Sequence, residues 1–202
     1  TAMGEFIDTV HGVEKLNKVK EKDVFLNYTL KTARYTFDCP LIVGAILAGA
    51  KKEDIKKLSQ LGILVGQAFQ IQDDIIGIFD SQKNIGKSVL SDLSESKKTL
   101  LVCHAYEQLN THKRQLFAKL FNKPKKTYED LIAIRKIFIN AGSLRYSLKE
   151  IAARVHKTID ILKGLKMKGS YKEAIEKSVL QLFQQSHHIA QQHRIHAPFR
   201  SC

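Results

Sequence analysis

The sequence predicts an all-α chain. Two observations carry that reading. Only three Pro and 11 Gly occur among 202 residues, so long stretches run without a breaker. The apolar residues, chiefly Leu, Ile and Ala, recur with a helical period, and strand-like alternation is absent. The length is enough for one well-cored domain.

Taken in order, the opening segment to about Asn17 reads as the end of a helix. A second helix runs from about Asp23 to Phe37, with Glu21 and Asp23 at its positive N-terminal end. Asp38-Cys39-Pro40 is expected to interrupt it, because the residue before a proline is pushed out of the helical region. Pro40 then opens a short apolar helix, Leu41 to Ala50. The longest helix spans about Lys52 to Asp80, and a polar loop with Gly86 follows it to about Ser94. Further helices are expected over Glu95–Asn110, His112–Phe121, Tyr128–Asn140, Ser143–Leu165 and Ser170–Gln185. The chain divides into a helical domain, 1–186, and a His-rich tail, 187–202, expected to be disordered for want of an apolar period.

The chemistry concentrates on the longest helix. With Gln70 at zero and about 100° per residue, Ser59, Gly62, Gly66, Asp73, Asp74, Gly77 and Ser81 lie within about 80° of it. Leu58, Leu61, Val65, Ala68, Ile75, Ile76 and Phe79 take the opposite side. A solvated helix would carry Lys and Glu on its polar face. Gly, Gln and Asp suit a buried cavity with a charged floor. Two adjacent carboxylates there need positive charge beside them, and a hard cation such as Mg²⁺ meets that need through oxygen ligands. An N-capping or surface Asp pair is the plain alternative, but no helix start surrounds these two. The alternate acidic positions of a calcium loop are missing, and no His or Cys stands close by for zinc. Lys87 and Lys97 follow the pair and can fold over an anion held by the metal, or serve as ordinary surface lysines.

The charge is +13, from 33 Lys and Arg against 20 Asp and Glu. That balance fits a Lys-rich solvated surface, a phosphorylated substrate, an anionic membrane or a nucleic acid. The lysines form no long block and no aromatic residues interleave with Arg, so no nucleic-acid partner is expected. The longest apolar run, Leu41 to Ala50, is too short to span a bilayer. Cys39, Cys103 and Cys202 form no CxxC pair, which suggests free thiols in a reducing compartment, the cytoplasm. Cys103 beside His104 reads as a core cysteine, and Tyr28 and Tyr35, seven apart, as a packing stripe. His187, His188, His193 and His196 match no standard metal spacing.

Together these residues carry a family resemblance. The run 66–79, GQAFQIQDDIIGIF, with 86–100, GKSVLSDLSESKKTL, resembles the second aspartate-rich region of the trans-isoprenyl (polyprenyl) diphosphate synthases, which include farnesyl and geranylgeranyl diphosphate synthases. Upstream, Gly4-Glu5-Phe6-Ile7-Asp8 is similar to the family's GQxxD element, Lys31-Thr32 to its KT pair, and 43–50 to its small-residue helix. The clear resemblance covers about residues 1–105.

The resemblance implies an antiparallel helix bundle around a deep central cavity. It implies a prenyltransferase that condenses an allylic diphosphate with isopentenyl diphosphate, head to tail, with Mg²⁺ as cofactor. Asp73 and Asp74 would be metal ligands, and Lys31, Thr32, Gln70, Lys87 and Lys97 would hold the allylic diphosphate, with Lys31 and Thr32 catalytic. Asp8, Tyr35, Gly66, Phe69 and Gly77 would line the cavity. The chain departs from the family at Glu5, Gly77, Leu90 and Ser96. No first aspartate-rich motif, Arg pair or isopentenyl-diphosphate site is found, so the chain is expected to represent the C-terminal half, with the N-terminal half missing. A homo- or hetero-oligomer is expected, and a non-catalytic partner subunit or inactive fragment of such a synthase is the alternative.

Overall fold

The computed structural model describes residues 1–79, 93 and 96–195. Helices account for most of them, and no strand occurs among the described residues. α1 (Ala2–Val13) leads to α2 (Glu21–Tyr28), which runs without a break through a π-helical segment, π1 (Thr29–Asp38), into α3 (Cys39–Leu47). α4 (Lys52–Phe79) is the axis of the molecule. α5 (Leu100–Gln108), α6 (Thr111–Phe121), α7 (Tyr128–Asn140), α8 (Ser143–Lys163), α9 (Gly169–Leu182) and α10 (Gln184–Gln192) complete the chain.

α4 packs chiefly between π1 on one side and α8 on the other. On α8, Leu144, Leu148, Ile151, Val155, Ile159 and Leu162 are buried at helical spacing, and on α4 Leu58, Leu61, Val65, Ala68, Ile71 and Ile75 answer them. Each such side chain contributes about 1.5–3 kcal/mol on burial. Local signals agree with the boundaries. Asn110 caps α6 by accepting from the Lys113 N–H, and Thr127 with Asp130 forms a capping box on α7. Gly142, at φ 74°, makes the tight corner between α7 and α8.

Three expectations are corrected. Asp38-Cys39-Pro40 does not interrupt the helix. The change from π to α geometry falls at this point, where the Cys39 N–H still reaches back to the Arg34 carbonyl and Pro40 stands in the first turn of α3. A register change at that turn accommodates a residue with no N–H to donate. α5 begins at Leu100 rather than Glu95, since Ser96 has φ 50° and Thr99 is extended. The tail is not disordered from His187: α10 buries Ile189 and Ala190, and Gln72 holds its first turn by accepting from Ser186. Two neighbouring apolar residues give no readable period, and their partner lies more than a hundred positions away. Residues 196–202 of that tail, with His196 and Cys202, lie outside the described residues.

Candidate active site

The site forms where α1, π1 and the last third of α4 converge, and glycines permit the approach. A Cβ on Gly4 would lie 2.4 Å from the Lys31 Cα, and one on Gly66 would lie 2.4 Å from the Ala33 Cα. Backbone therefore meets backbone at two points on π1. The polar side chains between those points come within hydrogen-bonding reach.

Lys31 sits between two acids of α1, 2.7 Å from Asp8 and 3.3 Å from Glu5. Asn27 donates to the other oxygen of Asp8 at 3.1 Å. Thr32 donates to Gln70 Oε1 at 2.5 Å, and the Gln70 amide donates to Asp74 at 3.2 Å and Asp73 at 3.4 Å. The hydroxyl of Tyr28 donates to Asp74 Oδ2 and accepts from the Leu100 N–H at 3.0 Å. Lys98 closes the far side by donating to the Gly12 carbonyl at 2.6 Å. Asp8, Tyr28, Lys31, Gln70, Asp74, Lys97, Lys98 and Thr99 border one small cavity. Asp73 and Asp74 share a second, of about 50 Å³, with Lys97, Thr99 and Phe121.

The electrostatics are uneven. Asp73 is exposed, whereas Asp74 is half-buried and pushed up to about 7, first by burial and then by the charge of Asp73, against the hydrogen bonds from Tyr28 and Gln70. Tyr28 is pushed well above the usual phenol range by burial and by Asp74. For Lys31, burial opposes the charged form, yet the hydrogen bond and charge of Asp8 leave its pKa raised, so it stays an ammonium. Two lysines and a threonine hydroxyl thus face two carboxylates across a narrow cleft.

The structure gathers most of the expected residues and separates others. Asp8, Lys31, Thr32, Gln70, Asp73, Asp74 and Lys97 converge; Lys87 lies outside the described residues. Gly66 does not line a cavity, because Ala33 fills the space beside it, and Gly77 is buried within α4. Phe69 packs half-buried on Phe37, ring centroids 5.5 Å apart. Tyr35 is 71% exposed whereas Tyr28 is 4% exposed, so the two form no stripe. Each π turn takes in one more residue than an α turn, which rotates Tyr35 off the face of Tyr28. Tyr28, Asn27, Glu5, Lys98 and Thr99 are additions. Asn27 and Tyr28 stand one turn before Lys31, and that i, i+4 and i, i+3 spacing is the signal that could have found them.

Other expectations fall elsewhere. Cys103 is a buried free thiol pushed up to about 12 by burial, and Cys39 is exposed and free. His104 stacks on Tyr146 and pairs with Ser143, away from any thiolate chemistry. His193 packs edge-on against Phe79. No cluster of three or more His, Cys, Asp or Glu that could hold a metal occurs among the described residues. Nor is any helix among them long and apolar enough to cross a membrane. At the Asp pair the donors are hard oxygens, and one carboxylate is raised by burial and by the charge of its neighbour. That set fits a cation bound partly by the chain and partly by phosphate oxygens and water.

The chain is similar to known proteins in sequence and in fold. The model of the family described as Polyprenyl synthetase matches residues 1–138. The chain is 32% identical over 151 residues to a geranylgeranyl diphosphate synthase of Sulfolobus acidocaldarius, covering 75% of this chain and 45% of that protein. It is 37% identical over 120 residues to a geranylfarnesyl diphosphate synthase of Aeropyrum pernix, covering 59% and 36%. The chain therefore spans about half or less of the length of these relatives. Its fold is similar to the crystal structure of a geranylgeranyl pyrophosphate synthetase from Pyrococcus horikoshii Ot3, with 28% identity and a TM-score of 0.73 over 93% of this chain and 54% of that one. It also matches that of a decaprenyl diphosphate synthase from Rhodobacter capsulatus in fold, at 21% identity and a TM-score of 0.80 over 92% and 56%. With more than half of its length matched by the family model and a helical fold shared with such synthases, the chain belongs to the polyprenyl synthetase family.

Proposed function

We propose that the chain carries the allylic-diphosphate half of a Mg²⁺-dependent prenyltransferase, which condenses an allylic diphosphate with isopentenyl diphosphate. The observation that carries this reading is the convergence of Lys31 and Lys97 on the cavities beside Asp73 and Asp74, with Thr32 joined to both acids through Gln70. Held by Asp73 and Asp74, Mg²⁺ would supply positive charge to the diphosphate as it leaves. Lys31 and Lys97 add fixed positive charge at the same anion. Gln70 orients Asp74 and the Thr32 hydroxyl, so these polar groups are set before substrate arrives. Lys87, on the resemblance, would complete the anion's shell. On the resemblance, the site for isopentenyl diphosphate would lie in the part of such synthases that this chain does not span. A cytoplasmic setting accords with the free thiols of Cys39 and Cys103.

Calorimetry of the purified chain with geranyl or farnesyl diphosphate tests the reading. Binding is expected with Mg²⁺ and not without it, and Asp73→Ala should weaken it at least tenfold. No binding in Mg²⁺, or an Asp73→Ala variant that binds as the parent does, would sink the assignment.

A second reading, a partner subunit, draws support from one surface. Met3, Phe6, Val10 and Val13 form an exposed apolar stripe on α1, with Phe6 65% and Val13 86% exposed. Sedimentation of the chain measures self-association directly, and a monomer at all concentrations would count against a homo-oligomer.

A further inference from the structure

We infer that Tyr28 is a positioning residue for Asp74, and that its hydroxyl locks the Asp pair to the segment bearing Lys97. This deepens the proposed function and rests on it.

The geometry is specific. The Tyr28 ring is buried beside Phe25, edge to face, with centroids 6.0 Å apart. Its hydroxyl therefore has a fixed place, and both its hydrogen-bonding roles are used. It donates to Asp74 Oδ2 and accepts from the N–H of Leu100, the first residue of α5. Leu100 directly follows Lys97-Lys98-Thr99, which is not helical; the Thr99 carbonyl accepts the Cys103 N–H at 3.0 Å as α5 begins, and Lys98 donates to the Gly12 carbonyl. One oxygen atom thus ties α4, which carries the acids, to the start of α5, which anchors the lysine segment. Gln70 holds the other oxygen of Asp74, so the carboxylate is gripped from two sides and cannot rotate freely. Asp73, by contrast, is exposed, and its hydrogen bond from Gln70 is long, at 3.4 Å. The two acids therefore have different tasks: Asp74 is preset, and Asp73 is free to adjust to what binds. A preset oxygen lowers the ordering cost of assembling cation and anion.

Tyr28→Phe removes the hydroxyl and keeps the ring. Inorganic diphosphate, titrated into the full chain with and without Mg²⁺, is the probe. The variant should weaken Mg²⁺-dependent binding about tenfold. In an Asp74→Asn background the same change should alter binding less than twofold, because the group it positions is already gone. Equal losses in both backgrounds would mean a merely structural role and overturn the inference, as would parent-like binding by Tyr28→Phe. Asp73→Ala separates this failure from failure of the site: if that variant binds as the parent does, the functional reading itself falls, and the inference with it. Should Tyr28→Phe not fold, fluorotyrosine incorporation gives a second measure. The ¹⁹F resonance of Tyr28, assigned by substituting the other tyrosines, should shift on saturation with Mg²⁺ and diphosphate, and an unmoved resonance would overturn the inference.

Discussion

Gln70 and Gln72 are the same residue type two positions apart on α4, and they do opposite work. Gln70 is half-exposed and binds side chains: Thr32, Asp73 and Asp74. Gln72 is buried and binds the turn between α9 and α10, donating to the Leu182 carbonyl at 2.7 Å and accepting from the Ser186 hydroxyl at 2.7 Å and its N–H at 3.3 Å. At about 100° per residue the two side chains leave the helix on nearly opposite sides. One satisfies side chains around the Asp73–Asp74 cleft. The other satisfies backbone groups that would otherwise be buried without partners. The lesson is that a buried amide on a helix holds the fold when its partners are main chain, and prepares a site when its partners are ionisable side chains.

The sharpest way to break this contrast is Gln72→Leu. It strands a carbonyl, an N–H and a hydroxyl, and should cost about 3 kcal/mol, or roughly 10 °C in melting temperature for a chain of this size. Diphosphate binding measured well below that temperature should not change. If it does, the two glutamines are not separable. Gly66→Ala comes next. Its methyl would collide with Ala33 backbone, so π1 must move from α4, at about 2 kcal/mol. Because the same shift draws Thr32 from Gln70, both melting temperature and Mg²⁺-dependent binding should fall, a double effect that calorimetry and thermal melts resolve. Gln70→Met should weaken binding about tenfold, or 1.4 kcal/mol, and leave the melting temperature within a few degrees. A large loss of stability instead would place Gln70 with Gln72 as a structural residue.

The smallest effect concerns pH. The folded-state pKa of Asp74 is raised from 3.8 to about 7, chiefly by burial, so the folded chain holds a proton that the unfolded chain releases. Asp74 therefore destabilises the fold progressively as pH rises from about 4 to 7, and fully above that. Asp74→Asn should melt higher than the parent at pH 8, by a few degrees without Mg²⁺, and the difference should vanish near pH 4. A variant no more stable than the parent at pH 8 would show that Asp74 is well solvated.

Much of the site was legible in the sequence. Asp73 and Asp74 on the polar face of a long helix follow from spacing, since a helix repeats its faces at fixed intervals, whereas Lys31-Thr32 came only with the family resemblance. The role of Tyr28 was not legible, because a tyrosine among apolar neighbours reads as packing until its hydroxyl partner, 46 positions away, is known. Gly66 was misplaced for the same kind of reason. A glycine on a polar face is compatible with an open cavity or with a close backbone, and only the neighbour decides.

The sequence by itself determined that the chain is all-helical, that Asp73 and Asp74 share the polar face of α4 with Gln70, and which family it resembles. These rest on periodicity and on ordered motifs, which are local. Tertiary structure alone decided that Asp38-Cys39-Pro40 lies within a continuous helix, that Tyr35 turns to solvent while Tyr28 turns to Asp74, and that α10 docks on Gln72. Each of those depends on a helical register or a distant partner, and neither is written in the residues nearby.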